Sequence, residues 1–193
     1  MGTTLSQRAV ETFAHLKEAG VPAEPFIGWN GSVSGIVTTH TYELDNPGSG
    51  YIIGRNSMNT CIGHAGMWRA AMLLSGDAFL FMEDDVRFAP DWRSIMEASD
   101  VNLPEDWDLA FLGSCCTHGR PKTHLSGRLF KIDFAMCLHA YVIRKKALSR
   151  MIEWCERVDS PIDVSVAVQC VPKLVTVAYL PRIADQPETQ MPE

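Results

Sequence analysis

Two kinds of hydrophobic pattern alternate along this chain of 193 residues. Short apolar runs bounded by glycine or proline predict buried strands, and apolar residues repeated every three or four positions predict amphipathic helices. The helix predicted over 145–157, for example, places Leu148 and Met151 on a single apolar face. The predicted helices cover 5–19, 57–76, 90–96, 145–157 and a segment after Pro161, and the predicted strands cover 26–27, 78–82, 107–112, 129–132, 138–143 and 174–179.

The alternation of helices and strands predicts an α/β fold, with one domain over residues 1–193. Several strands are apolar throughout, which is typical of parallel strands that helices cover on both faces. We therefore expect a mostly parallel central sheet flanked by helices. The polar stretches 32–50 and 113–127 interrupt the pattern and are predicted to be functional loops.

Composition and charge narrow the class of protein. No run reaches the roughly 18 apolar residues that a membrane span needs, and no signal peptide is recognisable, so we expect a cytoplasmic protein without a membrane span. The six cysteines include no pair spaced by two residues, which predicts that most are small core thiols in a reducing compartment. The net charge of −6 argues against nucleic-acid binding through the overall field, although 118–131 and 144–150 are locally basic.

The most prominent chemical feature is the acidic triplet Glu83, Asp84 and Asp85, which follows the strand predicted over 78–82. Ligands bind at the carboxyl ends of strands in open α/β sheets, because the strand order leaves a crevice there. Three adjacent carboxylates repel one another unless a cation lies among them, and a hard divalent ion is the usual partner. The triplet therefore predicts a metal site, and a solvated acidic turn is the alternative that the pattern leaves open.

Three further polar residues occupy positions that suit either chemistry or structure. His64 precedes the apolar face of a predicted helix by one turn, and His139 lies near the start of a predicted strand. Asp163 follows Pro161 at the start of a predicted helix, where the helix macrodipole stabilises a carboxylate without any further function. Spacing alone favours a structural role for both histidines and does not connect the three residues.

Six short segments follow one another in a characteristic order. They are His64-Ala65-Gly66-Met67-Trp68, Met82-Glu83-Asp84-Asp85-Val86, Trp107-Asp108-Leu109 with Leu112-Gly113, His139-Ala140-Tyr141-Val142-Ile143, Pro161-Ile162-Asp163, and Pro181 to Gln186. Together they resemble the motifs of glycosyltransferase family 25, which contains bacterial lipooligosaccharide galactosyltransferases and collagen galactosyltransferases. The chain departs from the family in having Gly63 in place of a serine, and only Ser6-Gln7-Arg8 in place of the usual first strand and its arginine-containing loop.

The resemblance implies a GT-A-type fold and a metal-dependent reaction. A sugar would pass from a nucleotide-diphosphate sugar, usually a UDP-sugar, to a hydroxyl group, with inversion at the sugar carbon. The implied cofactor is Mn²⁺ or Mg²⁺, which neutralises the charge that develops on the departing diphosphate. Asp85 is the first expected metal ligand and Asp84 the second. No histidine follows His139, so Asp185 or water is expected to complete the metal site.

The resemblance also implies roles for residues outside the metal site. The expected donor-binding residues are Arg8, His64, Glu83 and Asp84, and the expected catalytic base is Asp163, with His139 as the next candidate. A saccharide is the first expectation for the acceptor. A hydroxymethylated base in DNA is the alternative, because the chain is compact and has two basic stretches. A non-catalytic module that binds glycan or nucleotide is the alternative from a different functional class.

Overall fold

The computed structural model describes residues 6–26, 55–99, 103–115, 117, 122–155 and 160–186, without the side chains of 55–59. The polar stretch 32–50 lies outside these residues. Residue 27 of the predicted strand 26–27, residues 118–121 of the first basic stretch and residues 156–157 of the predicted fourth helix also lie outside them.

The helices form close to where the apolar spacing predicts them. They are α1 (Gln7–Glu18), α2 (Arg55–Leu73), α3 (Trp92–Ser99), α4 (Lys145–Cys155) and α5 (Ile162–Ser165), the last continuing as a π-helical segment (Val166–Cys170) and a 3₁₀ turn (Val171–Lys173). The Ser6 hydroxyl accepts a hydrogen bond from the Ala9 backbone and caps α1, and Gly20 follows its end with a φ of 69°. Among the described helices, none combines the length and the apolar character of a membrane span.

Eight strands form two sheets in the described part of the chain. They are β1 (Ala78–Met82), β2 (Arg87–Phe88), β3 (Leu109–Cys115), β4 (Lys122–Ser126), β5 (Leu129–Ile132), β6 (Met136–Arg144), β7 (Thr176–Tyr179) and β8 (Ala184–Asp185). The larger sheet has the order β1-β6-β3-β7-β5-β4, and β2 pairs with β8 in a separate two-stranded sheet. The prediction of an α/β fold with a central sheet flanked by helices is confirmed.

The prediction of a mostly parallel sheet is wrong. Strand β6 lies between β1 and β3 and is antiparallel to both, and β3 with β7 is the one parallel pair among the described strands of this sheet. After β3 the chain forms the β4–β5 hairpin instead of a crossover helix, so β6 runs in the reverse direction. Strand β6 is apolar because the sheet is covered on both faces, and this burial removes the alternation that would mark an antiparallel strand.

Two apolar cores lie on opposite faces of the larger sheet. On one face, Phe81 of β1 and Tyr141 of β6 pack with residues of α2, α4 and α5. On the other face, Ala110 and Leu112 of β3 pack with residues of α1 and α3. Because successive residues of a strand face opposite sides, each central strand contributes to both cores. The helices α1 and α3 thereby cover one face of the sheet, and α2, α4 and α5 cover the other.

The cysteines only partly follow the prediction. Cys61, Cys155 and Cys170 are buried thiols outside any disulfide, as expected. Cys115 and Cys137 instead form a disulfide that links the end of β3 to β6, with 5.7 Å between the Cα atoms. Disulfides are typical of oxidising compartments. The cytoplasmic location therefore stays a prediction, and this disulfide weighs against it.

Replacing both Cys115 and Cys137 with serine is expected to lower the free energy of unfolding by roughly 3 kcal/mol, because the bond closes a loop across a sequence separation of 22 in the unfolded chain. Chemical denaturation of the two proteins measures the difference. Dithiothreitol should cause a similar loss in the wild type and none in the double variant. If the denatured wild type shows as many free thiols before reduction as after it, the disulfide is absent.

Candidate functional site

The acidic triplet forms the turn that joins β1 to β2. The backbone carbonyl of Glu83 accepts a hydrogen bond from Val86 across this turn at 3.4 Å. The three side chains differ in exposure, with Asp84 46% exposed, Glu83 27% and Asp85 21%. The triplet is therefore a structured turn at the sheet edge, with each carboxylate in a different environment.

A positively charged side chain lies among the carboxylates and offsets the repulsion between them. The guanidinium of Arg8, on α1, contacts Asp84 at 2.5 Å and Asp85 at 3.4 Å. The hydroxyl of Thr12, one turn further along α1, donates a hydrogen bond to the Asp84 backbone carbonyl at 2.7 Å and holds the helix against the turn. The structure thus brings together Arg8, Asp84 and Asp85 from the predicted site.

Gln186 connects the other two carboxylates. Its side-chain amide donates hydrogen bonds to Glu83 at 2.7 Å and to Asp85 at 2.9 Å. The pairing of β8 with β2 brings Gln186, the last residue of the six motif segments, close to the triplet. Asp185 accepts hydrogen bonds from the Arg182 side chain and from the Gln186 backbone, both at 2.8 Å. Both Asp185 oxygens therefore have partners other than the triplet.

Glu83 and Asp163 face a common cavity of about 200 Å³. Its lining residues are Thr60, Glu83, Cys137, Leu138, Pro161, Ile162, Asp163 and Gln186. Asp163 lies in the first turn of α5, and its carboxylate accepts a hydrogen bond from the Val164 backbone at 2.9 Å. Two carboxylates and an amide beside apolar walls suit a small polyhydroxylated ligand, since the walls can contact its carbons while the polar groups bind its hydroxyls.

His64 lies behind Glu83 and is almost fully buried. Its Nε2 is 3.5 Å from a Glu83 oxygen, and its Nδ1 is 2.6 Å from the Tyr141 hydroxyl. The Tyr141 hydroxyl also accepts a hydrogen bond from the Trp68 indole at 2.9 Å. Within the part of the chain that the structure describes, His64 does not line the cavity and reaches it through Glu83. Sequence reasoning gave no role to Tyr141 or Trp68, although both lie within the motif segments.

The ionisation of Glu83 reflects these neighbours. Burial would raise the pKa of its carboxyl, but the adjacent His64 ring, the hydrogen bond from Gln186 and the electrostatic influence of His139 together lower it from the ordinary value of 4.5. Glu83 is therefore ionised at neutral pH and can accept hydrogen bonds from a ligand.

His139 is buried in β6 beside the site. Burial lowers the pKa of its imidazole despite the opposing influence of Glu83, so the ring is neutral at neutral pH. Its Nε2 is 3.3 Å from the Ala184 carbonyl, and its Nδ1 has no hydrogen-bond partner among the described residues. The His139 backbone carbonyl accepts from the Glu83 backbone at 3.1 Å. His139 thus supports the strands that carry the site and does not line its cavity.

The triplet fits a divalent metal ion only together with a bound molecule that supplies further oxygen atoms. Within the described residues, no three histidine, cysteine, aspartate or glutamate side chains are grouped so that they could hold a metal ion. Asp84 and Asp85 supply two carboxylates that share one cationic partner, Arg8. Mg²⁺ is commonly held by one or two carboxylates together with substrate phosphates and water, and Mn²⁺ prefers similar ligands. The two aspartates therefore fit an ion that binds together with a phosphate-bearing ligand.

A larger groove of about 650 Å³ meets the small cavity at Glu83. It runs between α1, α2 and β1, with mainly apolar walls that include Leu16 and Phe81, and it reaches Asp84 at one end. The acidic turn therefore borders two spaces, a small one whose wall includes two carboxylates and an amide, and a larger one lined mainly by apolar side chains.

The basic stretch 144–150 has structural partners. Lys146 and Arg150 both contact Asp108 at 3.1 Å, and Asp108 is buried. Lys145 donates to the Leu74 carbonyl at 2.5 Å, and Arg144 donates to the Glu105 carbonyl and stacks over a tryptophan. These side chains attach the start of α4 to neighbouring loops, so the stretch does not need a nucleic-acid ligand to account for it.

Comparison with protein-family models and with curated protein sequences gives no match to this chain. The resemblance to glycosyltransferase family 25 therefore rests on the six motif segments alone.

Proposed function

We propose that this protein is a glycosyltransferase that moves a sugar from a nucleotide-diphosphate sugar, with a UDP-sugar as the first expectation, to a hydroxyl acceptor, using Mn²⁺ or Mg²⁺. The observation that supports it is the convergence of distant segments at one place. Arg8, the triplet, Asp163 and Gln186 are far apart in sequence, yet they surround the end of β1. The Arg8 guanidinium beside two aspartates suits a diphosphate. The adjacent cavity, with two carboxylates and an amide in its wall, suits one sugar ring.

The acidic turn is assigned to the diphosphate of the donor. Asp84 and Asp85 would hold the divalent ion, whose chemistry is to neutralise the charge that develops on the departing nucleoside diphosphate. Arg8 is 61% exposed, so its guanidinium can contact a phosphate beside the aspartates. The larger groove, which begins at Asp84, offers apolar walls for the nucleoside.

The small cavity is assigned to the transferred sugar and the acceptor hydroxyl. Glu83 and Gln186 would bind sugar hydroxyls. Asp163 would accept the acceptor proton while the acceptor oxygen bonds to the sugar carbon and the bond to the diphosphate breaks. We prefer Asp163 to His139 as the base because Asp163 lines the cavity, whereas His139 is buried and hydrogen-bonded to Ala184.

A saccharide is the favoured acceptor. The alternative of a hydroxymethylated base in DNA relied on two basic stretches, and the side chains of one of them bind Asp108 and backbone carbonyls. A DNA complex held by phosphate contacts would weaken steeply with salt. An interaction with modified DNA that does not change with salt would therefore count against DNA as the acceptor.

The test of the proposal is a mass-spectrometric screen of nucleotide-sugars against pooled glycans and modified DNA, with Mn²⁺, Mg²⁺ or EDTA. We expect a product carrying one added sugar, formed only with a divalent ion. Calorimetry with the same donors completes the test. Donor binding without turnover on any acceptor would favour a binding module, and neither binding nor turnover would reject the proposal.

Asp163→Asn is expected to lower the rate of transfer about 100-fold, because asparagine has a similar shape but cannot accept the proton. Its side-chain oxygen can still accept the hydrogen bond from the Val164 backbone, so α5 should be retained. Single-turnover assays measure the rate, and calorimetry should show unchanged donor affinity. His139→Gln in parallel separates the two candidate bases, since a larger rate loss there, in a folded protein, would contradict the choice of Asp163.

A further inference from the structure

A chain of buried polar groups lies behind the cavity wall. Trp68 of α2 and Tyr141 of β6 have no solvent exposure, and His64 is 2% exposed. The Trp68 indole N–H donates to the Tyr141 oxygen at 2.9 Å, and that oxygen is 2.6 Å from His64 Nδ1. On its other side, the His64 ring presents Nε2 to Glu83 at 3.5 Å. These buried side chains thus connect the protein core to a carboxylate of the proposed site.

The numbers of hydrogen-bond donors and acceptors determine which atoms of these three side chains carry the protons. The indole has only a donor, so the Tyr141 oxygen must accept from it. The Tyr141 hydroxyl then has one proton to donate, and His64 Nδ1 is the acceptor within its reach among the described residues. For the neutral ring, a proton on Nδ1 would leave the Tyr141 proton without an acceptor among these groups. The arrangement that satisfies every group has the lone pair on Nδ1 and the ring proton on Nε2, which faces Glu83.

We propose that Tyr141 is a positioning residue, which holds His64 in the Nε2–H tautomer and thereby holds the Glu83 carboxylate at the wall of the cavity. The distance from Nε2 to the Glu83 oxygen is longer than in a short hydrogen bond. The tautomer therefore acts on Glu83 electrostatically, because it decides whether Nε2 presents a positive N–H or a negative lone pair to the carboxylate. An N–H attracts the oxygen, whereas a lone pair on Nε2 would repel it and turn Glu83 away from Gln186 and the cavity.

The surroundings of Tyr141 keep it a hydrogen-bond donor. Burial raises the pKa of its hydroxyl well above the ordinary value, so the proton remains on the oxygen. The ring stacks on Phe81, with 5.4 Å between the ring centres, which fixes the direction of the hydroxyl. A phenylalanine at position 141 would keep this packing and remove only the hydroxyl.

The experiment is to record, by long-range ¹H–¹⁵N correlation on the ¹⁵N-labelled full chain at mildly alkaline pH, which ring nitrogen of His64 carries the proton. The signals of His64 are identified by their loss in His64→Asn. We expect the Nε2–H form in the wild type. In Tyr141→Phe, the ratio of the Nε2–H to the Nδ1–H form should fall roughly tenfold, as the loss of one buried hydrogen bond predicts.

Trp68→Phe is the matched control, because it perturbs the same core but leaves the Tyr141 proton in place, so the His64 tautomer should not change. An Nδ1–H form in the wild type would overturn the proposal, whatever the variants do. An unchanged ratio in Tyr141→Phe, or an equal change in Trp68→Phe, would also overturn it.

The catalytic consequence rests on the proposed glycosyl transfer. Tyr141→Phe should lower kcat roughly tenfold or more, because Glu83 is then misplaced against the sugar. The KM for donor should change less than kcat, because Glu83 is assigned to the sugar whereas the diphosphate contacts are made by other residues. The two ideas fail separately. The expected tautomer shift without transfer from any donor would reject only the proposed function. Transfer with unchanged kcat in a variant that shows the tautomer shift would reject the positioning role.

Discussion

Asp85→Asn is expected to lower metal-dependent sugar transfer about 10³-fold, because an amide cannot supply the charge with which a carboxylate holds a divalent ion beside a diphosphate. The same change should weaken Mn²⁺ binding in the presence of donor. Transfer rates with a titration of Mn²⁺ measure both effects, and higher Mn²⁺ should recover part of the lost rate.

The fold should survive this substitution. The side-chain oxygen of the introduced asparagine can still accept the hydrogen bond that Gln186 donates to Asp85. The lost contact with Arg8 is a long ion pair at 3.4 Å on the surface, and such pairs contribute little to stability. Asp133→Asn, at an exposed aspartate in the loop between β5 and β6, is the matched control for charge. Full activity of Asp85→Asn at limiting Mn²⁺ would reject Asp85 as a metal ligand.

Local patterns in the sequence predicted the elements of this fold better than their arrangement. The five apolar residues of β1 and the single apolar face of α4 mark their elements without any knowledge of neighbours. Strand β4 was missed because Lys122–Ser126 is largely polar and lies at the edge of the sheet, so that burial imposes no apolar pattern on it. The direction of β6 was missed because burial on both faces looks the same in parallel and antiparallel strands.

For the candidate site, too, the sequence predicts individual residues better than the contacts between them. The triplet can be found from its charge, and the end of an apolar strand indicates that it faces a crevice. The pairing of Arg8 with Asp84 and Asp85 depends on how α1 packs against β2, which no local pattern specifies. The disulfide likewise depends on register, because Cys115 comes close to Cys137 only when β3 and β6 pair with Cys115 opposite Met136.

Gly113 shows how the sheet positions the site. Strands β3 and β6 change register here, and the β8 backbone lies close by. A Cβ atom at Gly113 would lie 2.1 Å from His139 Nε2 and 2.4 Å from the Ala184 carbonyl oxygen. Ala184 precedes Asp185 and Gln186, so the space that glycine leaves allows the chain to bring the Gln186 amide to the triplet. The sequence places Gly113 at the end of a strand, whereas in the structure β3 continues through it to Cys115.

Gly113→Ala is expected to lower the free energy of unfolding by more than about 3 kcal/mol, because a backbone carbonyl and a buried ring must both move to admit one methyl group. Gly63→Ala is the matched control. Gly63 lies within α2, and apart from its own helix no described residue has an atom within 4 Å of an added Cβ, so alanine should raise the stability by up to about 1 kcal/mol. Chemical denaturation compares the three proteins.

Any folded Gly113→Ala protein should also lose transfer activity, since Ala184 carries Gln186 with it when it moves. A stability within about 1 kcal/mol of the wild type would show that β8 does not pack against Gly113 as described, and would remove the basis for placing Gln186 in the site.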